Sequence, residues 1–524
     1  MMPPLTVGQL YDRAVQYGGN AIAISQGGQH LSYRALGDQA GRLNAALAAL
    51  GVGLADRVAF LMVNCPEYVS CEYALAHLGA TRVPLAVLLG NDDHIYMMNL
   101  ARCKVLIYHE KLAARVEQMR PRLETVEHFI CVTDQPGTLP AGHHSLRALL
   151  DAYPPNWVRA DVAPEHIAGI YFTGGTTGRP KGVMLSHRAW FHTYWMEMLD
   201  FGIAPFETFV FATPMTHAGG CLILPVLLRQ GRCVLLDHFE PSLLLATIEQ
   251  ERASAVLLVP TMIYALLDDP KRSWYDLSSL RNILYGASAI APERLKQALQ
   301  AFGPVFTQFF GQTEAPMALT ALRRDDHVVP DPQHELAVLT SAGRPTYATT
   351  IRLVDDEGRD VKPGESGELI ACAPNMMSGY LDDPQATMET LRDGWLHTGD
   401  IARMDDRGLI TIVDRKKDMI VSGGFNIYPR EVEDALFEHP AVKQAAVIGV
   451  PHDKWGEEVK ALVLLHEGKL ASERELIDFV KARKGSLMAP KSVEIVTTIA
   501  LTNLGKLDKK AMRARYWGAR SRNV

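Results

Sequence analysis

A glycine- and threonine-rich stretch at residues 173–182, TGGTTGRPKG, has the composition of a loop that binds phosphate. Glycines let the backbone turn its N–H groups toward an anion, threonine hydroxyls add donors, and Lys181 supplies a cation. The order differs from a Walker A loop, because Arg179 and Pro180 separate Gly178 from the lysine. Taken alone, the stretch also fits a flexible surface hairpin, so phosphate binding is at this point a hypothesis.

Further motifs follow this stretch in a fixed order along the chain. They read PMTHAGG at 214–220, YGASA at 285–289, FGQTE at 310–314, WLHTGD at 395–400, DRKKDMIVSGGFNIYPREVE at 414–433, VPHDKWGE at 450–457 and GK at 505–506. Together with the first stretch, they resemble the ANL superfamily of acyl-adenylating enzymes, and the resemblance covers nearly the whole chain. The family loop usually has serine where this chain has Gly175.

The resemblance implies a two-step reaction at one site. A carboxylate attacks the α-phosphate of ATP, pyrophosphate leaves, and a nucleophile, usually the thiol of CoA, then displaces AMP. Both steps concentrate negative charge, so positioned donors and cations would carry most of the catalysis. The implied catalytic residues are Thr173, Lys181, His217, Glu314 and Lys506.

The resemblance also implies an ATP site. The phosphate loop and Lys181 would hold the β- and γ-phosphates, Phe310 would stack on adenine in place of the family's tyrosine, and Glu314 would bind Mg²⁺. Asp400 would accept both ribose hydroxyls, and Lys506 would bridge the carboxylate and the α-phosphate. The full set is Thr173, Gly174, Gly175, Thr176, Thr177, Gly178, Lys181, Gly286, Ala287, Ser288, Phe310, Gly311, Gln312, Thr313, Glu314, Asp400, Ile412, Arg415 and Lys506.

The expected acyl pocket carries no charged side chain that would pair a second carboxylate or hold an α-ammonium. Its residues by resemblance are Trp195, Met196, His217, Ala218, Gly219, Gly311 and Pro316. The substrate should therefore be an apolar monocarboxylate, either a chain or a ring. A lone histidine is usually structural, so the role of His217 as a gate depends on the motif alone.

Residues after 414 are expected to serve the second step. Lys417 would be the hinge of a mobile domain, and CoA would contact Ser422, Gly423, Gly424 and Lys491. Family CoA ligases often carry an aromatic residue and a lysine where this chain has Leu487 and Met488. This departure leaves an amine or a carrier-protein thiol open as the acceptor.

Three functions from different classes are therefore considered. The first is an ATP-dependent acyl-CoA synthetase for a hydrophobic acid, fatty or aryl/alicyclic. The second is an amide synthetase or carrier-protein ligase that uses the same adenylate, and the third is a non-catalytic nucleotide- or acyl-binding protein. The retained Lys181, Glu314, Asp400, Arg415 and Lys506 speak against the third.

The elements that position these motifs follow an α/β pattern. Short apolar segments at 57–63, 104–109, 128–133, 231–237 and 255–260 are predicted strands, and helix-length segments, including residues 10–25, separate them. We predict doubly wound sheets, then a small antiparallel unit from about 350 to 415. Residues 1–414 form the predicted adenylation domain, and residues 415–524 a small mobile α/β domain.

Composition is that of a soluble globular protein, with 48% hydrophobic and 21% charged residues and a net charge of -6. The seven cysteines form no C-x-x-C pair and are predicted to be buried and reduced, which favours the cytoplasm. No secretory signal or transmembrane segment is expected, and a homodimer stays open. The basic tail from 504 to 524 is predicted to be a solvated helix that does not bind nucleic acid.

Overall fold

The computed structural model describes residues 5–133, 135, 139–173, 179–329, 331–422, 425–452, 455–501 and 507–518, leaving aside the side chain of Asn426. Several residues predicted from the sequence to be functional lie outside these ranges. They are Gly174, Gly175, Thr176, Thr177, Gly178, Gly423, Gly424 and Lys506.

The strands of the described residues are numbered in chain order. They are β1 Ile22–Gln26, β2 Gln29–Ser32, β3 Arg57–Leu61, β4 Thr81–Pro84, β5 Val105–His109, β6 His128–Val132, β7 His143–Ser145, β8 Ile167–Phe172, β9 Gly182–Ser186, β10 Thr208–Phe211, β11 Arg232–Leu235, β12 Ala255–Leu258, β13 Asn282–Gly286, β14 Phe306–Gln312, β15 Ala315–Leu322, β16 Arg344–Pro345, β17 Thr350–Val354, β18 Gly367–Cys372, β19 Gly379–Tyr380, β20 Leu391–Arg392, β21 Trp395–Met404, β22 Ile410–Arg415, β23 Ile420–Ser422, β24 Phe425–Ile427, β25 Val442–His452, β26 Gly456–Leu465 and β27 Ser492–Ile495.

The α-helices are numbered in the same way. They are α1 Val7–Gly18, α2 Tyr33–Ala49, α3 Pro66–Leu78, α4 Asn91–Leu100, α5 Ala113–Met119, α6 Leu146–Ala152, α7 His187–Asp200, α8 Ala218–Cys221, α9 Ile223–Leu228, α10 Pro241–Glu251, α11 Pro260–Asp268, α12 Pro292–Phe302, α13 Pro332–Leu339, α14 Pro384–Thr390, α15 Pro429–Phe437, α16 Glu473–Met488 and α17 Lys509–Trp517. In the described part of the chain, no helix is both long and apolar enough to span a bilayer.

Two large sheets form the body. One has the order β16-β15-β14-β13-β12-β10-β11-β1-β2, and the other has the order β19-β9-β8-β4-β3-β5-β6-β7. Their central strands are parallel, whereas β15, β16, β2, β9 and β19 pair antiparallel at the edges. Central strands such as β12 are buried along their whole length, as expected where both faces are covered. The predicted doubly wound α/β architecture is confirmed.

Two smaller sheets complete the chain. The third, β17-β18-β21-β20 with β22 beside β21, packs through a shared apolar cluster on β15. The fourth, β24-β23-β26-β25 with β27 beside β26, begins at Ile420 and has its own core with α15 and α16. A single 3₁₀ turn, Lys416–Asp418, separates the third sheet from the fourth. The predicted domain boundary, between residues 414 and 415, lies at the end of β22 just before this turn, and both the division into domains and movement about the turn stay predictions.

The structure corrects three expectations. Residues 10–25 are not one helix, because α1 ends at Gly18 before the positive-φ Gly19 and the chain turns into β1. Cys372, at the end of β18, is exposed, whereas the other six cysteines are buried. The basic tail is only partly solvated: α17 buries Met512 and packs against β25.

Candidate active site

The phosphate-loop stretch connects two antiparallel strands. β8 and β9 pair as far as Phe172 and Gly182, and residues 173–181 form the connection between them. The backbone N–H of Thr173 donates to the Lys181 carbonyl at 3.0 Å, and the Lys181 N–H donates to the Thr173 hydroxyl at 3.3 Å. The two ends of the loop are thus fixed together, and the Lys181 side chain is exposed for an anion.

Lys181 and Glu314 both contact one tyrosine. The Lys181 ammonium lies 4.9 Å from the centre of the Tyr380 ring, and the Tyr380 hydroxyl donates to Glu314 Oε1 at 2.6 Å. Glu314 is buried, and its backbone carbonyl accepts from Met377 at 2.8 Å. The carboxylate is therefore held rigidly at the edge of the phosphate loop.

The carboxyl ends of two parallel strands form the next part of the site. β13 ends at Gly286, followed by the exposed Ala287 and Ser288, and β14 ends in Gly311 and Gln312 before Thr313. Ala287 has a φ of 65°, which is strained for a residue with a side chain. A Cβ on Gly311 would lie within 2.9 Å of the Met317 backbone, so the strand needs glycine there. Ligands bind at such strand ends in open α/β sheets.

Asp400 and Arg415 are paired across two antiparallel strands. They are partners in the register of β21 and β22, and Arg415 Nε lies 2.6 Å from Asp400 Oδ1. The Asp400 N–H donates to the Thr398 hydroxyl at 3.1 Å, and Gln312 Nε2 donates to the Thr398 carbonyl at 3.4 Å. These bonds connect the ends of β14 and β21.

The second oxygen of Asp400 has a property that fits a nucleotide sugar. Asp400 is 2% exposed, and its Oδ2 has no hydrogen-bond partner among the residues that the structure describes. Burial raises the pKa of this carboxyl to about 6, although Arg415 opposes the shift. Leaving a buried acceptor unpaired costs about 1–3 kcal/mol, so a donor such as a ribose hydroxyl would be bound favourably here.

Glu314, on the phosphate side of the site, and Asp400, at the predicted ribose position, are close enough to interact electrostatically. The charge of Glu314 adds to the rise in the Asp400 pKa, and that of Lys417 opposes it. Burial lowers the pKa of Lys417 below its usual range, and Arg415 adds to the effect. Phe310 and Ile412 both border the apolar cluster beneath the third sheet. We refer to the predicted adenine, ribose and phosphate positions together as the nucleotide row, and their binding of one nucleotide stays a prediction.

The predicted acyl residues are only partly brought together. α7, which carries Met196, packs against β15, which carries Pro316, and against α9. His217 is exposed and precedes α8, whose first residues are Ala218 and Gly219. Trp195, at 48% exposure, lies on the outer face of α7, where Phe191 is its ring neighbour. Its place in the pocket stays a prediction.

The predicted CoA residues lie on the fourth sheet. Ser422 is buried at the end of β23 and pairs with Phe425 and Gly456. Lys491 is exposed, donates to the Ser486 carbonyl at 3.0 Å and lies 5.7 Å from the Trp455 ring. Among the described residues, the structure gives Lys491 no contact with the nucleotide row.

Sequence reasoning missed Tyr380 and Thr398 as site residues. Tyr380 reaches Glu314 across a separation of 66 residues, and Thr398 is two residues before Asp400 within a motif read only for the aspartate. No local pattern marks the tyrosine. Thr398 could have been found by treating every polar residue of WLHTGD as a candidate.

The fold and site define a nucleotide-binding α/β protein with a separate C-terminal unit, and comparisons with protein families agree. The AMP-binding enzyme family model matches residues 10–381, and the AMP-binding enzyme C-terminal domain matches residues 431–506. The chain belongs to this family of AMP-binding enzymes.

Relatives and solved structures of similar length support the assignment. The chain is 39% identical to a medium/long-chain-fatty-acid–CoA ligase, FadD8, of Mycobacterium tuberculosis (strain ATCC 25618 / H37Rv), over 99% of this chain and 92% of the relative. It is 36% identical to a feruloyl-CoA synthase of an Amycolatopsis species, over 95% and 96%. The solved amide bond synthetase McbA of Marinactinospora thermotolerans superposes with a TM-score of 0.88 at 31% identity, over 97% and 99%.

Proposed function

We propose that this protein is an ATP-dependent acyl-CoA synthetase that activates a hydrophobic monocarboxylic acid, fatty or aryl/alicyclic, and passes the acyl group to CoA. The observation that carries the proposal is the presence in one structure of a group that suits a ribose and of a group that suits phosphates. Asp400, with its unpaired buried oxygen, suits the ribose, and the exposed Lys181 beside Glu314 suits the phosphates. The relatives named above include acid–CoA ligases for a fatty acid and for an aryl acid.

The first step is attack of the acid on ATP. A carboxylate oxygen forms a bond to the α-phosphorus, the bond to the bridging oxygen of pyrophosphate breaks, and the electron pair leaves with pyrophosphate. Lys181 and the donors of the loop beginning at Thr173 stabilise the charge that develops on the leaving group. Lys506, which lies outside the described residues, is proposed to bridge the substrate carboxylate and the α-phosphate.

A Mg²⁺ ion is proposed at Glu314. The donor chemistry fits, because one buried carboxylate plus phosphate oxygens is a normal magnesium environment. The described residues contain no cluster of three or more His, Cys, Asp or Glu side chains that could hold a metal ion without phosphate. When bound, the ion would neutralise charge on the phosphates, and Tyr380 orients the carboxylate that holds it.

In the second step the thiolate sulfur of CoA attacks the acyl carbon, and AMP leaves. We propose that residues 415–524 turn about Lys417 between the steps, so that one site serves both reactions. Ser422, Gly423, Gly424 and Lys491 are proposed to face CoA in that second arrangement. Because ATP and CoA are the co-substrates, we also propose that the enzyme works in the cytoplasm.

Carboxylate-dependent exchange of pyrophosphate into ATP tests the first step. A panel of fatty, aryl and alicyclic acids should give exchange with at least one class, and only when magnesium is present. Absence of exchange with every acid, in folded protein that binds ATP, would contradict the proposal and favour a non-catalytic nucleotide-binding protein.

The second candidate is an amide synthetase or carrier-protein ligase. The structural likeness to an amide bond synthetase favours it, as does the exposed Leu487 where family CoA ligases often carry an aromatic residue. Acceptor competition decides between them: CoA, a panel of primary amines and an acyl-carrier protein are offered to the same adenylate. Release of AMP that depends on CoA supports the first candidate, and release that depends on an amine or on the carrier supports the second.

A further inference from the structure

A buried glutamate lies beside the predicted acyl residues and plays no part in the nucleotide site. Glu197 is 0% exposed on α7, and neither of its carboxyl oxygens has a hydrogen-bond partner in the part of the chain that the structure describes. A buried carboxyl without partners is rare, because it loses the hydrogen bonds that water would supply. Such a group lowers the stability of the fold, unless a bound ligand supplies the missing hydrogen bonds.

The buried face of α7 that carries Glu197 lies near predicted acyl residues. Trp190, Tyr194 and Glu197 are spaced as one face of α7 and are buried, and the same helix packs against β15 and α9. Burial raises the pKa of the Cys221 thiol, and Glu197 would add to that rise when ionised, which indicates that the carboxyl lies near the end of α8. Glu197 therefore lies on the helix that also bears Met196 and that packs against β15, which bears Pro316.

The surroundings of this carboxyl are apolar with a few other polar atoms. Trp190, Tyr194, Met215, Cys221 and Met317 belong to one buried cluster. Within the same region, the Trp190 indole nitrogen and the hydroxyl of Thr216, one residue before His217, also have no partner among the described residues. Arg82, whose guanidinium lies 4.7 Å from the centre of the Trp190 ring, is also buried in this region and pairs with Glu72.

The protonation state of Glu197 sets what it can bind. Burial raises the pKa of its carboxyl well above the usual range, which favours the neutral acid. A neutral carboxyl has one O–H donor and retains acceptor capacity, so it can pair with a hydroxyl or with a carbonyl. It would repel neither of these uncharged groups.

We propose that Glu197 is a specificity-determining residue that hydrogen-bonds a neutral oxygen group, a hydroxyl or a ketone, on the part of the acyl substrate far from its carboxylate. This inference rests on the proposed function and narrows its substrate class to hydrophobic acids with one distal oxygen. A site built to hydrogen-bond a substrate group discriminates strongly against the analogue without it, because its own polar atoms are then left unpaired.

Matched acids test the inference by ATP–pyrophosphate exchange. The sets are dodecanoate with 12-hydroxydodecanoate and 11-oxododecanoate, octanoate with 8-hydroxyoctanoate, and cinnamate with 4-hydroxycinnamate. For at least one set, wild-type kcat/KM should be about tenfold or more higher for an oxygenated member. The hydroxyl and ketone arms show which oxygen group the site takes.

Variants then assign the preference to this side chain. Glu197→Leu should lower exchange with the oxygenated acid at least about tenfold and leave the plain acid unchanged or faster, which removes the preference. Glu197→Gln should retain most of it, because an amide keeps a donor and an acceptor. Glu207→Gln is the control, since Glu207 is also buried but accepts a hydrogen bond from the Ala204 N–H and should not alter the preference.

Three results would overturn the inference. The first is a wild-type preference for the plain acid in every set, and the second is an equal loss for both members of a set in Glu197→Leu. The third is loss of the preference in Glu207→Gln as well, which would show a general effect of buried glutamates. Exchange with no acid at all would instead overturn the proposed function, so the two failures are distinguishable.

Discussion

At the scale of single residues, the protonation state of Asp400 should decide whether its carboxyl can accept hydrogen bonds from the hydroxyls of a ribose. Its pKa of about 6 means that acidification below that value protonates the carboxyl that should take the hydroxyl donors. A bound ribose stabilises the ionised form, so affinity should be full above pH 7 and fall as the pH drops through 6. At pH 5 the dissociation constant of adenosine should be about tenfold higher than at pH 7.

Adenosine is the suitable probe because it has no phosphate that titrates in this range, and calorimetry or equilibrium dialysis measures its binding. Asp400→Asn should weaken binding at pH 7 by about tenfold, since hydrogen bonds to a charged group contribute about 1.5–3 kcal/mol. The same variant should show a flat profile between pH 5 and 7. A wild-type affinity that is independent of pH would show that Asp400 does not hold the ribose.

Candidate residues for the nucleotide row could be proposed from the sequence, and their roles stay predictions, whereas their contacts in the fold could not be proposed. Glu314, Asp400 and Arg415 lie in motifs whose residue types indicate the proposed roles. Tyr380 and Glu197 do not, because a tyrosine or glutamate in a helix or strand has the same local pattern whether it is structural or functional. Their surroundings depend on β9, β19 and α8 coming together, which is a property of the fold.

At the scale of elements, each of the five apolar segments predicted as strands of the body contains one, whereas the prediction failed where one segment held two elements. The segments at 57–63, 104–109 and 255–260 each contain a strand of the body. Residues 10–25 contain a helix and a strand, because the pattern of α1 continues into β1 across only a short turn at Gly19. Turn chemistry, not hydrophobic periodicity, divides them.

The last helix shows how an element can be fixed by charges. Lys509, 13% exposed, lies 2.9 Å from Glu433 Oε1, and Arg513 Nη1 lies 2.7 Å from Asp418 Oδ1. Burial works against the charge of Lys509, yet Glu433 holds its pKa above the usual range, and Asp414 and Asp418 add to this. α17 is thus tied both to α15 and to the turn that contains Lys417.

Replacing Lys509 should loosen this attachment. Lys509→Met leaves Glu433 buried without its cation, a change that typically costs about 3–5 kcal/mol. Hydrogen exchange of the α17 and β25 amides should become faster by a corresponding factor, while the two large sheets keep their protection. Lys510→Met, at the exposed neighbouring position, is the matched control and should exchange like the wild type. Equal effects of the two changes would contradict the ion-pair role.

At the scale of the whole molecule, the order of sheets separates two parts of the chain. The first three sheets use residues up to Arg415, and the fourth uses residues from Ile420 onward. Polar contacts join the two parts among the described residues, for example Arg403 with Glu431 at 3.0 Å. A polar interface of this kind is compatible with rotation of one part against the other. The boundary between residues 414 and 415 stays a prediction from the sequence, and the sequence carries no information on the interface.

The two parts should serve different half-reactions, and Lys506 is the residue that separates them. Lys506→Ala should lower formation of the acyl-adenylate from acid and ATP by about a hundred- to a thousandfold, since one positioned donor to the developing charge contributes about 2.7–4 kcal/mol. Thioester formation from a supplied acyl-adenylate and CoA should stay within a few-fold of wild type, because the lysine would face away from the site in that step. Both half-reactions are measured on the same preparation, so retained thioester formation shows that the variant is folded. Equal loss in both would show that Lys506 acts throughout the cycle or supports the fold, and the division of work between the two parts would then have to be abandoned.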